Sequence, residues 1–368
     1  MNHSAVVGAI VKHSKTNITN TMSASTNRRV FLKSSAAFLG SCALAACNKN
    51  TSAGDSSKKE VGSKISLAQW SLHRALKAGE LDNLDFPRIA REGFGFDGIE
   101  WSSQFAFVEH PRLGSQPKDK AYLTETKRVT DDHGLTNLLI MCDHVGNLGD
   151  PNNTLRSNAV EGHYAWVEAA KLLGCHSIRV NAASDQSLSS EEQKKLCIDG
   201  LGRLCTFAQT HGLNVIVENH GGLSSNGAWL ASVISGVGQD NCGTLPDFGN
   251  FYVARNRGNS ERYALAKEPY ENDPVYREDG IGLEYDRYQG VTDLMPFAKG
   301  VSAKSHDFDA EGNEVNTDYH RMMKIVVDSG YTGYIGIEYE GRTTPEMEGI
   351  RLTKTLIERT LASLHQST

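Results

Sequence analysis

Eight short apolar runs recur along the chain from Ile65 onward, and stretches with a helical period fill most of the gaps between them. Several helical stretches end in a glycine just before the next run, as at Gly174 and Gly212, which is typical of short helix-to-strand connections. This alternation predicts a parallel sheet covered by helices. Eight such units in roughly 300 residues predict a single-domain α/β fold, a (β/α)8 TIM barrel.

A doubly wound open sheet is the alternative, and the lack of a glycine-rich phosphate loop after the first run disfavours it. The polar segment 250–290 interrupts the sixth unit and is predicted to form a lid or side wall over the mouth. The clearest helices are Tyr122–His133, Leu155–Leu173, Ser190–His211 and Tyr319–Ser329. The predicted strands are Ile65–Leu72, Phe96–Trp101, Leu135–Cys142, Ser177–Ala182, Asn214–Asn219, Gly243–Phe248, Gly300–Lys304 and Tyr334–Tyr339.

The N-terminal segment predicts an export signal. A twin arginine in Asn27-Arg28-Arg29-Val30-Phe31-Leu32-Lys33 precedes an apolar stretch, residues 36–46, that is too short to span a bilayer. This pattern indicates the Tat route, and Leu44-Ala45-Ala46-Cys47 resembles a lipobox. We predict a signal segment at 1–47, a flexible tether at 48–64 and the barrel at 65–368. The protein would then be periplasmic, held at the membrane only by a lipid on Cys47.

Charge and cysteine content limit the partners. The net charge of −6 argues against a nucleic-acid partner. Of seven cysteines, Cys42 and Cys47 belong to the signal segment, and the other five form no close-spaced pairs, which predicts unpaired buried thiols. A small-molecule partner fits these features. The sequence leaves the oligomeric state open, a homo-oligomer included.

Four strand-like runs in the C-terminal half end on a residue that can bind a metal: Glu218, Asp247, His306 and Glu338. Parallel barrel strands present their C-terminal ends at one mouth. Three carboxylates and an imidazole that converge there would bind one divalent ion. The sequence therefore predicts these four residues as metal ligands.

Further polar residues near the strand ends are candidates for catalysis and substrate binding. Lys304 would place a positive charge near a developing oxyanion, or would form an ion pair with one of the glutamates. A sugar ring stacks on tryptophan and offers hydroxyls to carboxylates, amides and imidazoles. The candidate substrate contacts are Trp70, His73, Glu100, Trp101, His144, Asn181, His220, Asn250 and Glu340.

These motifs resemble the sugar phosphate isomerase/epimerase superfamily, the xylose isomerase-like barrels. The resemblance implies a (β/α)8 barrel with one divalent ion, Mn²⁺, Mg²⁺, Co²⁺ or Zn²⁺. It also implies that Glu218 and Glu338 move a proton at the carbon beside a carbonyl. It rests on Phe96-Asp97-Gly98-Ile99-Glu100, Val217-Glu218-Asn219, Asp247-Phe248-Gly249-Asn250, Ala303-Lys304 and Gly336-Ile337-Glu338.

Two positions depart from the pattern of that superfamily. Its seventh strand usually carries Val-His-x-Lys-Asp, whereas this chain has Ser302 at the histidine position. Many relatives have a histidine where this chain has Asn250. His306 would take over as the seventh-strand ligand if the strand end bends.

The predicted function is a metal-dependent isomerase or epimerase that moves a proton next to a carbonyl. Because sugar phosphates are cytoplasmic, the export signal favours a non-phosphorylated sugar or keto-sugar. The first alternative is a lyase or hydrolase that cleaves 3-keto-glycosides by β-elimination. An endonuclease IV-like phosphodiesterase and a non-catalytic sugar-binding lipoprotein are two further alternatives.

Overall fold

A parallel eight-stranded sheet forms the centre of the computed structural model, which describes residues 64–258, 263–264, 267, 270 and 273–366. Each predicted run overlaps a strand, although the bounds differ by one to four residues at one or both ends. The strands are β1 (Ile65–Ala68), β2 (Gly98–Ser102), β3 (Thr136–Met141), β4 (Ser177–Asn181), β5 (Asn214–Glu218), β6 (Cys242–Leu245), β7 (Val301–Ser305) and β8 (Ile335–Tyr339). The predicted signal and tether lie outside the described residues and stay predictions.

The sheet closes into a barrel. Its strand order is β7-β8-β1-β2-β3-β4-β5-β6. Parallel bridges at Asp247–Ser302 and Thr244–Ala298 join the two end strands, and the Ser302 amide donates to the Pro246 carbonyl at 2.8 Å. The (β/α)8 prediction is therefore confirmed, and the open doubly wound sheet is excluded.

A helix follows every strand and covers the outer face of the barrel. Local signals fix several helix ends: Ser189 and Glu192 form a capping box at one start. Gly174 ends another helix in the left-handed conformation, at φ 83°. The helices are α1 (His73–Ala78), α2 (Lys120–Asp132), α3 (Asn153–Leu173), α4 (Ser190–Thr210), α5 (Gly227–Val237), α6 (Arg287–Leu294), α7 (Tyr319–Asp328) and α8 (Glu346–Gln366).

Alternating side chains divide the core into two layers. Outward residues of the strands pack against the helices in one large apolar cluster. Inward residues fill the barrel with a small cluster of Ala68, Leu139, Met141, Ile216 and Leu245. Since strand side chains alternate, Glu218 faces inward with Ile216. The barrel core thus ends, at its C-terminal mouth, in polar residues.

The segment between β6 and α6 forms a side wall. Its described strands pair antiparallel in the order Tyr276–Glu278, Gly282–Tyr285, Tyr252–Arg255. Asn226 donates to the Tyr276 hydroxyl at 2.5 Å, which ties this sheet to the loop after β5. A smaller hairpin, Phe107–His110 with Gly114–Pro117, follows β2.

The described residues give two further findings. The five cysteines outside the predicted signal segment are buried and unpaired, as predicted. None of the described helices has both the length and the apolar character that a membrane span requires.

Candidate active site

Three buried carboxylates meet at the mouth of the barrel. Glu218 closes β5, Asp247 follows β6 and Glu338 lies on β8. Each offers an oxygen within 4.8 Å of the others, and all three side chains are almost fully buried. Carboxylates so close together repel one another, so this arrangement needs positive charge nearby.

Asp247 is held by its own turn and by β7. Its Oδ1 accepts from the backbone N–H groups of Gly249 and Asn250, each at 2.9 Å. Its backbone N–H donates to the Asn219 side chain at 2.8 Å. Ser302 Oγ lies 2.7 Å from Asp247 Oδ2 and 3.2 Å from Glu338 Oε2. The hydroxyl of Ser302 thus occupies the space between two of the three carboxylates.

Lys304 supplies positive charge on one side of the cluster. Its Nζ lies 3.1 Å from Glu338, 3.4 Å from Glu340 and 3.7 Å from Asp247. Burial disfavours the charged lysine, but these carboxylates outweigh it and keep the pKa of Lys304 well above its ordinary value. The side chain is therefore a fixed ammonium, and both sequence-based interpretations, oxyanion partner and ion pair, are compatible with this geometry.

Arg179 supplies positive charge on the other side, and the sequence analysis missed it. It lies inside β4 with its side chain 4% exposed. Its Nη1 donates to Asp143 at 2.8 Å, and its Nε lies 2.9 Å from Glu218 Oε2. Burial opposes ionisation of Asp143, but Arg179 outweighs it and holds that pKa below its ordinary range. Alternation in Ser177-Ile178-Arg179-Val180-Asn181 was the available signal, because an arginine in a buried strand needs an acidic partner.

Two of the clustered carboxylates titrate near neutral pH. Burial raises the pKa of Glu218 to about 7, with Arg179 opposing the rise and Glu338 adding to it. Burial also raises the pKa of Asp247 to about 7, against the lowering effect of Lys304. Groups with such pKa values can both take and return a proton at neutral pH.

A model of the xylose isomerase-like TIM barrel family matches residues 88–359, well over half of the chain. This chain belongs to that family. Inosose dehydratase of Erwinia tasmaniensis is 24% identical over 270 residues, which cover 70% of this chain and 86% of that protein.

Solved structures share the same barrel. The 3-keto-D-glucoside 4-epimerase of E. coli, at 18% identity, superposes with a TM-score of 0.53 over 76% of this chain and 94% of that one. The IOLI protein, solved with a bound zinc atom, has 14% identity and a TM-score of 0.55 over 82% and 98% of the two chains. At these identities the likeness shows the fold alone.

The site of this family member fits a divalent metal ion. Three carboxylates face one another, and Glu218 Oε2 is buried yet accepts no hydrogen bond from the described residues. Arg179 Nε lies close to Glu218 Oε2, but the N–H group does not point toward that oxygen as a hydrogen bond requires. Glu218, Asp247 and Glu338 would hold the ion, and the Ser302 hydroxyl lies within hydrogen-bond distance of two of them.

Several predicted substrate contacts lie around this site. Trp70 donates a hydrogen bond from Nε1 to Glu340, and His73 stacks on Trp70 with ring centroids 4.7 Å apart. Burial opposes ionisation of Glu340, but Lys304 and Trp70 lower its pKa to about 2. Asn250 donates to Glu218 Oε1 at 3.0 Å. The remaining predicted contacts at strand ends are the exposed His144 and His220 and the half-buried Asn181.

The structure places His306 one residue beyond the end of β7. Strand β7 ends at Ser305, and the His306 amide is then bound by Glu314 at 3.2 Å. The His306 ring lies 3.9 Å from Glu340 and outside the group of clustered ligands. In this geometry His306 stands apart from the three clustered carboxylates, and its role as a fourth ligand stays a prediction.

Trp101 and Glu100 also differ from prediction. Trp101 faces the helices, packs edge-on against Phe86 and donates to Asn137 at 2.6 Å, so it does not reach the mouth. Glu100 faces the barrel interior, where it is 2% exposed and accepts from Ser66 at 2.7 Å. Neither is placed to contact a substrate at the mouth.

Proposed function

We propose that this enzyme moves a proton at the carbon next to the carbonyl of a non-phosphorylated sugar or keto-sugar, as an isomerase or epimerase. The observation that carries the proposal is the convergence of Glu218, Asp247 and Glu338 between two buried cations. The E. coli structural neighbour is named as an epimerase of a 3-keto-glucoside, which supports a sugar substrate.

The residues divide the chemistry between them. A bound divalent ion would polarise neighbouring carbonyl and hydroxyl oxygens of the sugar. Glu218, whose pKa is near 7, takes the proton from carbon, and Glu338 returns one from its own side. Lys304 holds a positive charge 3.1 Å from Glu338, where it stabilises negative charge that develops on the substrate oxygen. Trp70 donates a hydrogen bond to Glu340 and so holds that carboxylate beside Lys304.

We further propose that the ion is a hard one, Mg²⁺ or Mn²⁺. The three carboxylates that face one another offer oxygen ligands, and the Ser302 hydroxyl lies within hydrogen-bond distance of two of them. Carboxylate and hydroxyl oxygens suit these ions, whereas imidazole favours zinc. The zinc atom named for the IOLI structure makes Zn²⁺ the ion to compare.

Hydrogen exchange into a keto-sugar tests the proton transfer. The protein, loaded with Mn²⁺, is incubated in D₂O with methyl 3-keto-glucoside, and proton NMR follows the hydrogens beside the carbonyl. We expect exchange, and we expect Glu218→Gln to slow it by about 10²–10⁴-fold because the general base is gone. Glu358→Gln, on the exposed face of α8, is the matched control. Unchanged exchange in the Glu218 variant would exclude the proposed role.

A lyase is the second candidate, because the match to a curated inosose dehydratase covers 86% of that protein and 70% of this chain. The first step, removal of a proton beside a carbonyl, is common to both reactions, and a β-elimination then expels a neighbouring group. The same NMR experiment separates them. Deuterium incorporation with the substituents retained indicates an epimerase or isomerase, whereas release of methanol or water indicates a lyase.

The choice of a non-phosphorylated substrate rests on a second proposal, export by the Tat route with lipid on Cys47. Twin arginines and a lipobox-like stretch support it. Fractionation of cells that express the full chain tests it. We expect the protein in the membrane fraction facing the periplasm, retention in the cytoplasm for the variant with both Arg28→Lys and Arg29→Lys, and loss of lipid for Cys47→Ala.

A further inference from the structure

A separate cavity opens at the ends of β3 and β4, beside the carboxylate cluster. Its volume is about 410 Å³, within the range of about 300–1,000 Å³ that small-molecule sites occupy. The residues assigned above to the ion and to proton transfer do not line it. Its lining includes Cys142, His144, Asn147, His163, Asn181 and Ala183.

The buried His163 gives this cavity a fixed hydrogen-bond acceptor. The residue is 2% exposed, and its Nδ1 lies 2.7 Å from the carbonyl oxygen of Ala159. A carbonyl only accepts, so Nδ1 carries the proton and Nε2 carries a lone pair. Burial lowers the pKa of His163 to about 4, so the ring is neutral at neutral pH. Among the described residues His163 has no further hydrogen bond, which leaves Nε2 for a donor in the cavity.

The rest of the lining is uncharged and combines polar side chains with apolar ones such as Val145 and Ala183. Asn147 and Asn181 contribute amides that donate and accept, and no carboxylate, ammonium or guanidinium lines the cavity. His144 follows β3 in the left-handed conformation, at φ 61°, with its carbonyl accepting from Ser115 at 3.0 Å. Non-glycine residues in this region occur often at ligand-binding turns. This combination suits a neutral molecule with many hydroxyl groups and disfavours a phosphate or carboxylate.

Two hydrogen bonds and one ion pair join the cavity wall to the carboxylate cluster. Asn181 donates to Asp143 at 3.1 Å, and Arg179 donates to Asp143 at 2.8 Å. Arg179 Nε in turn lies 2.9 Å from Glu218. Asn181 in the cavity wall and Glu218 in the cluster are also register partners on the adjacent strands β4 and β5, which lie about 4.8 Å apart, so one two-ring molecule can reach both.

We propose that this cavity binds the second, neutral ring of a glycoside. The substrate would then be a two-ring sugar, with the reacting ring at the carboxylate cluster and the other ring against His163 and Asn181. A hydroxyl of the second ring donates to Nε2 of His163. This inference rests on the proposed function for the place of the reacting ring, and it adds the class of substrate.

Calorimetric binding to the full chain tests the proposal with sugars that carry no ketone, so that no reaction follows binding. The probes are methyl glucoside and four disaccharides that carry no free carbonyl: trehalose, sucrose, methyl maltoside and methyl cellobioside. We expect at least one disaccharide to bind roughly tenfold more tightly than methyl glucoside, because it makes additional hydrogen bonds in the cavity. His163→Phe removes the acceptor and should abolish this advantage while leaving the affinity for methyl glucoside unchanged.

A second variant and a control keep the test decisive. Asn147 is exposed on the cavity rim, so Asn147→Trp blocks the cavity without touching the core and decides the matter if the His163 variant does not fold. His133→Phe, at the end of α2 and at the opposite end of the barrel, should retain the advantage. The proposal is overturned if no disaccharide binds more tightly than methyl glucoside, or if the advantage survives Asn147→Trp.

The deuterium-exchange experiment distinguishes failure of this inference from failure of the proposed function. Exchange into methyl 3-keto-glucoside without any disaccharide advantage would remove only the second-ring site. A disaccharide advantage that disappears in Asn147→Trp, in a protein that exchanges no hydrogen, would support the second-ring site and remove the proposed reaction.

Discussion

The mouth and the interior of the barrel both contain buried carboxylates, but different groups face them. At the mouth, Glu218 lies beside Arg179 and Glu338 lies beside Lys304. In the interior, Glu100 has one hydrogen bond, from Ser66, and its Oε2 is buried without a partner among the described residues. Gly336 packs directly against this carboxyl group, where an added Cβ would lie 2.3 Å from it.

This difference separates two kinds of buried acid. Burial raises the pKa of Glu100 to about 8, with only the Ser66 hydrogen bond and the distant Arg179 opposing it, so Glu100 is neutral at neutral pH. Glu218 and Asp247 at the mouth have cations within ion-pair distance, which oppose the effect of burial and leave the pKa of each at about 7. The comparison indicates that charge compensation, not burial alone, is what makes the mouth suited to an ion and to proton transfer.

Arg179→Met should give the largest effect on stability, because it removes the cation that Glu218 and Asp143 share. Loss of one partner from a buried ion pair costs about 3–5 kcal/mol. Urea unfolding at pH 8 would measure it, and the loss should shrink at pH 5, where the carboxylates can bind protons instead. Arg203→Met, at a partly exposed position on α4, is the control and should cost less than about 1 kcal/mol. Equal losses in the two variants would show that Arg179 does not hold the mouth together.

Glu100→Gln tests whether the buried carboxyl group in the barrel interior is neutral. The folded protein keeps this carboxyl protonated up to about pH 8, whereas the unfolded chain loses the proton near pH 4.5. Stability therefore falls as pH rises through this window, by about 2 kcal/mol between pH 6 and pH 8 from this group alone. Glutamine does not ionise, so the variant should lack that part of the decline. Parallel stability curves for variant and wild type across this range, from urea titrations at several pH values, would contradict a neutral Glu100.

The same comparison shows why much of the site could be predicted from sequence. Strand runs that end on Glu218 and Glu338 point to one edge, because parallel strands in a barrel all run the same way. The prediction for Asp247 rested on its position at the end of the strand that follows the strand of Glu218. These inferences needed only strand direction and order, which hydrophobic patterns supply.

Side-chain direction and strand length account for the differences from prediction. Glu100 and Trp101 are adjacent on β2, so alternation cannot turn both toward the barrel, and the structure gives Glu100 the inner face. His306 follows Lys304 by two residues, but β7 stops at Ser305, whose hydroxyl lies 2.6 Å from that of Thr353. Arg179 does not lie at a strand end, and its long side chain reaches the mouth from within β4, so strand-end positions alone do not reveal it.

Ser302→His would place an imidazole between two of the three clustered carboxylates. The hydroxyl of Ser302 lies between Asp247 and Glu338, so a histidine there would add a nitrogen donor to an all-oxygen set. Because imidazole favours Zn²⁺ over Mg²⁺, we expect the ratio of zinc to magnesium affinity to rise roughly ten- to a hundredfold. Competition against a chromophoric chelator measures both affinities. Ser302→Asn, which adds bulk but supplies an oxygen, should leave the ratio near that of the wild type. A folded Ser302→His protein with an unchanged ratio would mean that this position does not contact the ion, and the all-oxygen account of its selectivity would fail.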